Sequence, residues 1–253
     1  RSYLETIWLG RPDLARRTLA QIPADYFFED MPASAKYFVE CRARDFEAAL
    51  ASIRAIPRDY VQSSAGAFPT GYLRGRALKF LGRTAAAEAE WTGALAAVER
   101  RLAANPNDRD LLQSQAVLLA ALGRNDAAAK VWTTVTQLYG PSHGSWLTMY
   151  YAFERSSRDE LLEVLARGRT DFMWMTAAEL RIDPMFDQVR DDPRFAALLK
   201  EAEADPQRAP QPLKAASPDP KSIAVLPFTN MSEDQDGNAF FADGIHEDIL
   251  TDL

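Results

Sequence analysis

Between Asp108 and Tyr139 the apolar positions fall into two rows with helical spacing. Leu111, Leu112, Val117, Leu118, Leu119 and Leu122 form the first row, and Ala127, Ala128, Val131, Trp132, Val135 and Leu138 the second. Asn107 and Asp108 suit the cap of the first helix, because a short side-chain oxygen accepts from the free amides of the first turn. Gly123 can take the left-handed conformation that ends it. The stretch therefore predicts a helical hairpin with one apolar face, and a hairpin too small to hide that face must stack on others like it.

The same pattern recurs along the chain. A turn position followed five residues later by a small residue is found at Gly10 and Ala15, Arg44 and Ala49, Gly82 and Ala87, and Gly123 and Ala128, with a degenerate fifth copy at Ser157 and Leu162. The turns are spaced by about 34 to 41 residues, and extension of a helix by a turn or two accounts for the longer steps. After the last copy, Asp183-Pro184 and Asp192-Pro193 mark helix starts, with Asp as cap and Pro in the first turn. Leu180, Met185, Phe186, Val189, Phe195, Leu198 and Leu199 suit a lid that closes the final stacking face. From Asp205 to Lys221 five prolines predict an extended linker. The apolar run Ile223 to Phe228 then predicts a buried strand. It is followed by a polar loop and an amphipathic helix carrying Phe240, Phe241, Ile245, Ile249, Leu250 and Leu253.

The hairpins resemble the tetratricopeptide repeat family. Ala87, Trp91 and Ala94, then Ala116, Leu119, Ala128 and Trp132, then Trp146, Tyr150 and Phe153, fall where that family keeps its small and large packing residues, while Arg44 and Ser157 stand in place of turn glycines. The phrase LRIDPMFDQVRDDPRF resembles the closing segment of repeat arrays attached to bacterial sensor kinases and regulators. The wording AVLPF, then Asn230-x-Ser232, then FADG with an acidic helix resembles the start of the TolB-like α/β module of bacterial adenylate cyclases and CadC-like regulators. In that family the module usually precedes the repeats, whereas here it follows them. The resemblances imply an all-α solenoid of tetratricopeptide-like hairpins over residues 1–168 and a helical cap over 169–204. A proline-rich linker over 205–221 and a partial TolB-like βα unit over 222–253 complete the expected order.

Charge and rare residues narrow the function. The 253 residues carry a net charge of -7, which disfavours a general phosphate-binding surface, so nucleic acid is not an expected partner. No apolar run approaches the roughly 20 residues of a membrane span, so no membrane contact is expected of this segment. Cys41 is the single cysteine, and His143 and His246 lie far apart, so no metal site is expected. The acidic loop Glu233, Asp234 and Asp236 lacks the glycine that a calcium loop needs at its sixth position, where Ala239 stands. No catalytic constellation emerges, so the chain is expected not to be an enzyme and to need no cofactor. Its opening at Arg1 suggests a piece of a longer protein, expected in the cytoplasm or as the periplasmic part of a membrane-anchored regulator.

A binding groove is the remaining candidate. In tetratricopeptide arrays the first helix of each hairpin lines the concave side. Carried over by register, that geometry places Phe38, Cys41 and Arg42 there, with Tyr72, Arg76 and Lys79, then Gln113 and Val117, then Tyr151, Glu154 and Arg155. A basic, aromatic face suits an acidic peptide, because guanidinium forks match carboxylates. The expectation is a scaffold or sensory module of a bacterial signalling protein that binds a partner peptide through Phe38, Arg42, Tyr72, Arg76, Lys79, Gln113, Tyr151 and Arg155. Alternatives are the regulatory part of a nucleotide cyclase or kinase, and a structural protein that self-associates, for which the C-terminal βα unit is the candidate contact.

Overall fold

The computed structural model describes residues 9–23, 30–63, 66–140, 146–171 and 175–204, all within one unit of the chain bounded at Pro210. Eleven α-helices, one 3-10 helix and one β-hairpin make up the described residues. In order they are α1 (Pro12–Leu19), α2 (Asp30–Arg42), α3 (Phe46–Arg54), β1 (Tyr60–Ser63), β2 (Gly66–Pro69), α4 (Thr70–Phe80), α5 (Thr84–Ala104), α6 (Arg109–Ala121), α7 (Asn125–Tyr139), α8 (Trp146–Glu154) and α9 (Arg158–Asp171). Helix α10 (Ala177–Ile182), the 3-10 helix (Pro184–Val189) and α11 (Pro193–Ala204) follow. The described residues are thus all-α apart from the hairpin. The expected linker over 205–221, the strand Ile223–Phe228 and the acidic helix after it lie outside the described residues.

Helices α2 and α3, α4 and α5, α6 and α7, and α8 and α9 pack as consecutive pairs, and α3 against α4 and α5 against α6 join one pair to the next. Every expected turn is present: Gly10, Arg44, Gly82 and Gly123 have φ of 60°, 61°, 72° and 71°, and the fifth falls on Ser156, at 56°, one residue before its expected place. At three of them the residue after the turn reaches back to an earlier carbonyl. Asp45 N–H donates to Glu40 O at 3.0 Å, Arg83 to Leu78 at 2.9 Å and Arg124 to Leu119 at 2.8 Å. These bonds satisfy carbonyls that the helix end leaves free. The small residues five positions on, Ala15, Ala49, Ala87 and Ala128, are all fully buried, which is what lets each second helix lie close to its partner.

The 41-residue step from Gly82 to Gly123 is absorbed as expected, by a 21-residue α5. The step from Arg44 to Gly82 is not. There α3 stops after nine residues, before Ile56-Pro57, and an antiparallel β-hairpin fills the gap with Val61 paired to Phe68. Both of those side chains are fully buried, and β1 packs on α2. Helix α4 crosses α5 at glycines: a Cβ on Gly75 would sit 2.2 Å from Trp91 Nε1 and one on Gly71 2.9 Å from Ala94 Cβ. The segment expected to act as a lid holds α10, the 3-10 helix and α11. Asp183 caps the 3-10 helix by accepting from Met185 N–H at 3.0 Å, and Leu180, Met185, Phe186, Val189 and Phe195 join the main core.

Candidate functional site

The first helices of the pairs, α2, α4, α6 and α8, supply the side chains expected in a concave groove. Two tyrosines of the set and their neighbours carry large rings, and the hydrophobic effect draws those rings inward. Tyr72 of α4 is fully buried, 5.8 Å from the ring of Tyr150 on α8, and its hydroxyl donates to Glu154 Oε1 at 2.9 Å. Lys79 places its ammonium 3.0 Å from the other oxygen of Glu154 and keeps part of its side chain in solvent. Phe38 packs edge-on against Phe68, with Arg42 above its ring at 5.9 Å.

Arg76 sits at the centre of this arrangement and is 1% exposed. Its guanidinium lies 4.6 Å from the ring of Tyr150 and 5.4 Å from those of Phe80 and Phe153, so aromatic faces stand where water would otherwise solvate the charge. Its nearest carboxylate is Asp183, at 3.7 Å. Arg42 donates to Glu179 Oε1 at 2.7 Å and lies 3.2 Å from Asp183. Burial pushes the Glu179 carboxyl up to about 7, against the opposing pull of Arg42. Burial likewise raises the Cys41 thiol to about 11 and the Tyr150 phenol to about 12.

The expected open face is therefore corrected. Phe38, Arg42, Tyr72, Arg76 and Lys79 do converge, but Arg42, Tyr72 and Arg76 are buried, and the carboxylates that answer them belong to α8, α10 and the start of the 3-10 helix. The remaining three diverge. Gln113 is buried within α6; Tyr151 stacks on Trp132 of α7 at 4.3 Å and an interplanar angle of 5°; and Arg155 pairs with Glu160 at 2.6 Å. The physical reason is that a buried guanidinium is tolerable only with partners supplied, and this chain supplies them itself from 100 or more residues away. Sequence reasoning read Asp183 only as a helix cap, which it is, and passed over Glu179; the pairing of both with the guanidinium groups was missed. Their signal was there: two carboxylates four residues apart, next to Leu180 and Met185, in a segment otherwise built as an apolar lid.

An open groove of about 450 Å³ lies elsewhere, between the end of α3, the β-hairpin, α4 and α5. Arg54, Asp59, Tyr60, Thr70, Arg74 and Glu90 form its polar lining, and Ala89 and Gly93 belong to a wall of small residues on α5. Arg74 Nε holds Glu90 Oε2 at 2.8 Å, and Arg101 covers the Tyr60 ring at 4.4 Å. Among the described residues no group of three or more His, Cys, Asp or Glu could hold a metal ion, and no helix is long and apolar enough to cross a membrane.

No protein-family model and no solved structure matches the chain. Over 91 residues it is 41% identical to a protein of Rhizobium meliloti (strain 1021) described as "Putative adenylate cyclase 3". The match covers 34% of this chain and 14% of that relative, so the chain spans only a small part of the relative's length.

Proposed function

We propose that this chain is a protein-interaction and regulatory module of a bacterial signalling protein, with no chemistry of its own. In this reading the helix pairs are a tetratricopeptide-type array, and residues 222–253 open a TolB-like module beyond a proline-rich linker. Its setting is the cytoplasm. The observation that carries the signalling part is the likeness to a protein named as an adenylate cyclase. Stacked helix pairs support the interaction part, because such pairs present extended surfaces made of successive helices. The groove beside α5 is the partner surface in this proposal, in place of the buried face of Arg42 and Arg76.

A photo-crosslinking residue at Gly93 tests this, since a side chain there meets nothing within 4 Å. In cells that make the full chain, position 93 should label a polypeptide that Arg74→Glu releases, while the exposed Thr134 of α7 should not. Equal labelling from both positions would overturn the assignment of the groove.

The same likeness favours a second form of the proposal, in which the module governs a nucleotide cyclase on the same polypeptide. Cyclase activity of that intact polypeptide should then change when residues 9–204 are removed, and unchanged activity would sink this form.

A further inference from the structure

We propose that Glu179 is a proton-linked latch: with its carboxyl protonated, α10 and the 3-10 helix stay docked on α2 and α4, and ionisation of that carboxyl loosens them. The geometry behind this is an uneven sharing of charge. Glu179 and Asp183 both converge on Arg42, at 2.7 and 3.2 Å. Asp183 has further support, because Oδ1 accepts from Met185 N–H at 3.0 Å and lies 3.7 Å from Arg76. Glu179 has one guanidinium contact through Oε1, while Oε2 is buried without a hydrogen-bond partner and the residue is 0% exposed. An ionised carboxylate with one oxygen buried and unanswered is costly, and protonation removes that cost.

Arg76 does not relieve the strain on Glu179. Its charge faces the rings of Phe80, Tyr150 and Phe153 and is nearer to Asp183. The groups that set the latch are therefore Arg42 from α2, Asp183 from the turn after α10 and, through Asp183, Arg76 of α4 and the Tyr150 phenol of α8. Cys41, also on α2, stays protonated through the range concerned.

The direction follows from the proton count. The Glu179 carboxyl lies at about 7 in the folded chain and near 4.5 when exposed, so between those values the docked form holds a proton that the opened form releases. Docking is therefore at full strength below about 4.5 and weakens as pH rises towards about 7, beyond which it levels off. A neutral or alkaline shift frees the segment that leads out of the repeats, and an acid shift fastens it.

Hydrogen exchange of the Ala177–Ala204 amides in the full 253-residue chain reads this directly, once intrinsic exchange is corrected for. The opening equilibrium should rise on the order of 100-fold between pH 5 and pH 8. In Glu179→Gln, which carries a permanently neutral amide, it should stay level. A wild-type chain that shows no pH dependence, or a Glu179→Gln chain that keeps all of it, overturns the proposal. Should Glu179→Gln fail to fold, Asp183→Asn still decides. Removing the competing carboxylate makes Glu179 easier to ionise, so its titration, followed by carbon NMR of the Glu carboxyls, must move to lower pH; an unmoved midpoint overturns the latch.

Discussion

The Tyr72 hydroxyl and the Glu154 carboxylate, 82 residues apart, meet at 2.9 Å in the interior. That contact joins α4 to α8 directly, past the intervening pair α6 and α7. It also explains how Glu154 can be buried: one oxygen takes the phenol and the other takes Lys79 at 3.0 Å. Burial, and after it the charge of Glu154, raises the Tyr72 phenol, so it remains a donor throughout the physiological range.

Tyr72→Phe keeps the ring and removes the donor. It leaves a buried carboxylate oxygen unanswered, at a cost of about 1–3 kcal/mol. Urea unfolding should show a lower midpoint with an unchanged slope, and Tyr72→Phe combined with Glu154→Gln should cost less than the sum of the two single changes.

Two glycines in adjacent helices should respond in opposite directions to the same substitution. Gly75→Ala puts a methyl group 2.2 Å from the indole nitrogen of Trp91, which is held in place by its bond to the Tyr72 carbonyl at 3.2 Å. Overpacking there should cost about 1–3 kcal/mol. Gly93→Ala meets nothing within 4 Å and removes a flexible residue from the interior of α5, so it should stabilise by about 0.5–1 kcal/mol. Thermal melts of the pair check both signs.

Ser156 holds a left-handed turn, φ 56°, that the other copies of this pattern fill with glycine or with Arg44. Ser156→Gly should relieve about 1 kcal/mol of that strain. The readout is a higher melting temperature, and a lower one would show that the serine makes up the cost in another way.

Cys41 is buried beside Tyr37 and Arg76, and burial holds its thiol at about 11. At pH 8 the thiolate is scarce and shielded, so a thiol reagent should react only after denaturant is added. Rapid labelling of the native chain would contradict the packing of α2 against α4.

The turns were legible in the sequence because each announces itself locally. A break in helical spacing at Gly10, Gly82 or Gly123, followed by a small residue five positions on, needs only backbone geometry and close approach to be read. Asp108 as a cap was legible for the same reason, and it accepts from Leu111 N–H at 3.0 Å. The β-hairpin was not. Its strands are four residues each, and the signal that makes them pair, Val61 opposite Phe68, exists only once α2 offers a surface to cover them.

The placement of the cations was the least legible part. Arg42 and Arg76 carry full charges, and a sequence gives no reason to bury a guanidinium, so an exposed groove was the natural expectation. The partners that reverse it, Glu179 and Asp183, lie more than 100 residues downstream, and although two carboxylates in an apolar lid are visible in the sequence, which cations they meet is not.

Read alone, then, the order of residues determined the periodic helices, their turns and caps, and the positions where small side chains must lie, because those follow from interactions within a few residues. Tertiary structure alone decided which side of the helix pairs is closed, since closing it depends on charges and rings brought together from α2, α4, α8 and α10. A buried charge is stable only where distant segments deliver its partners, and only the folded chain defines that meeting point.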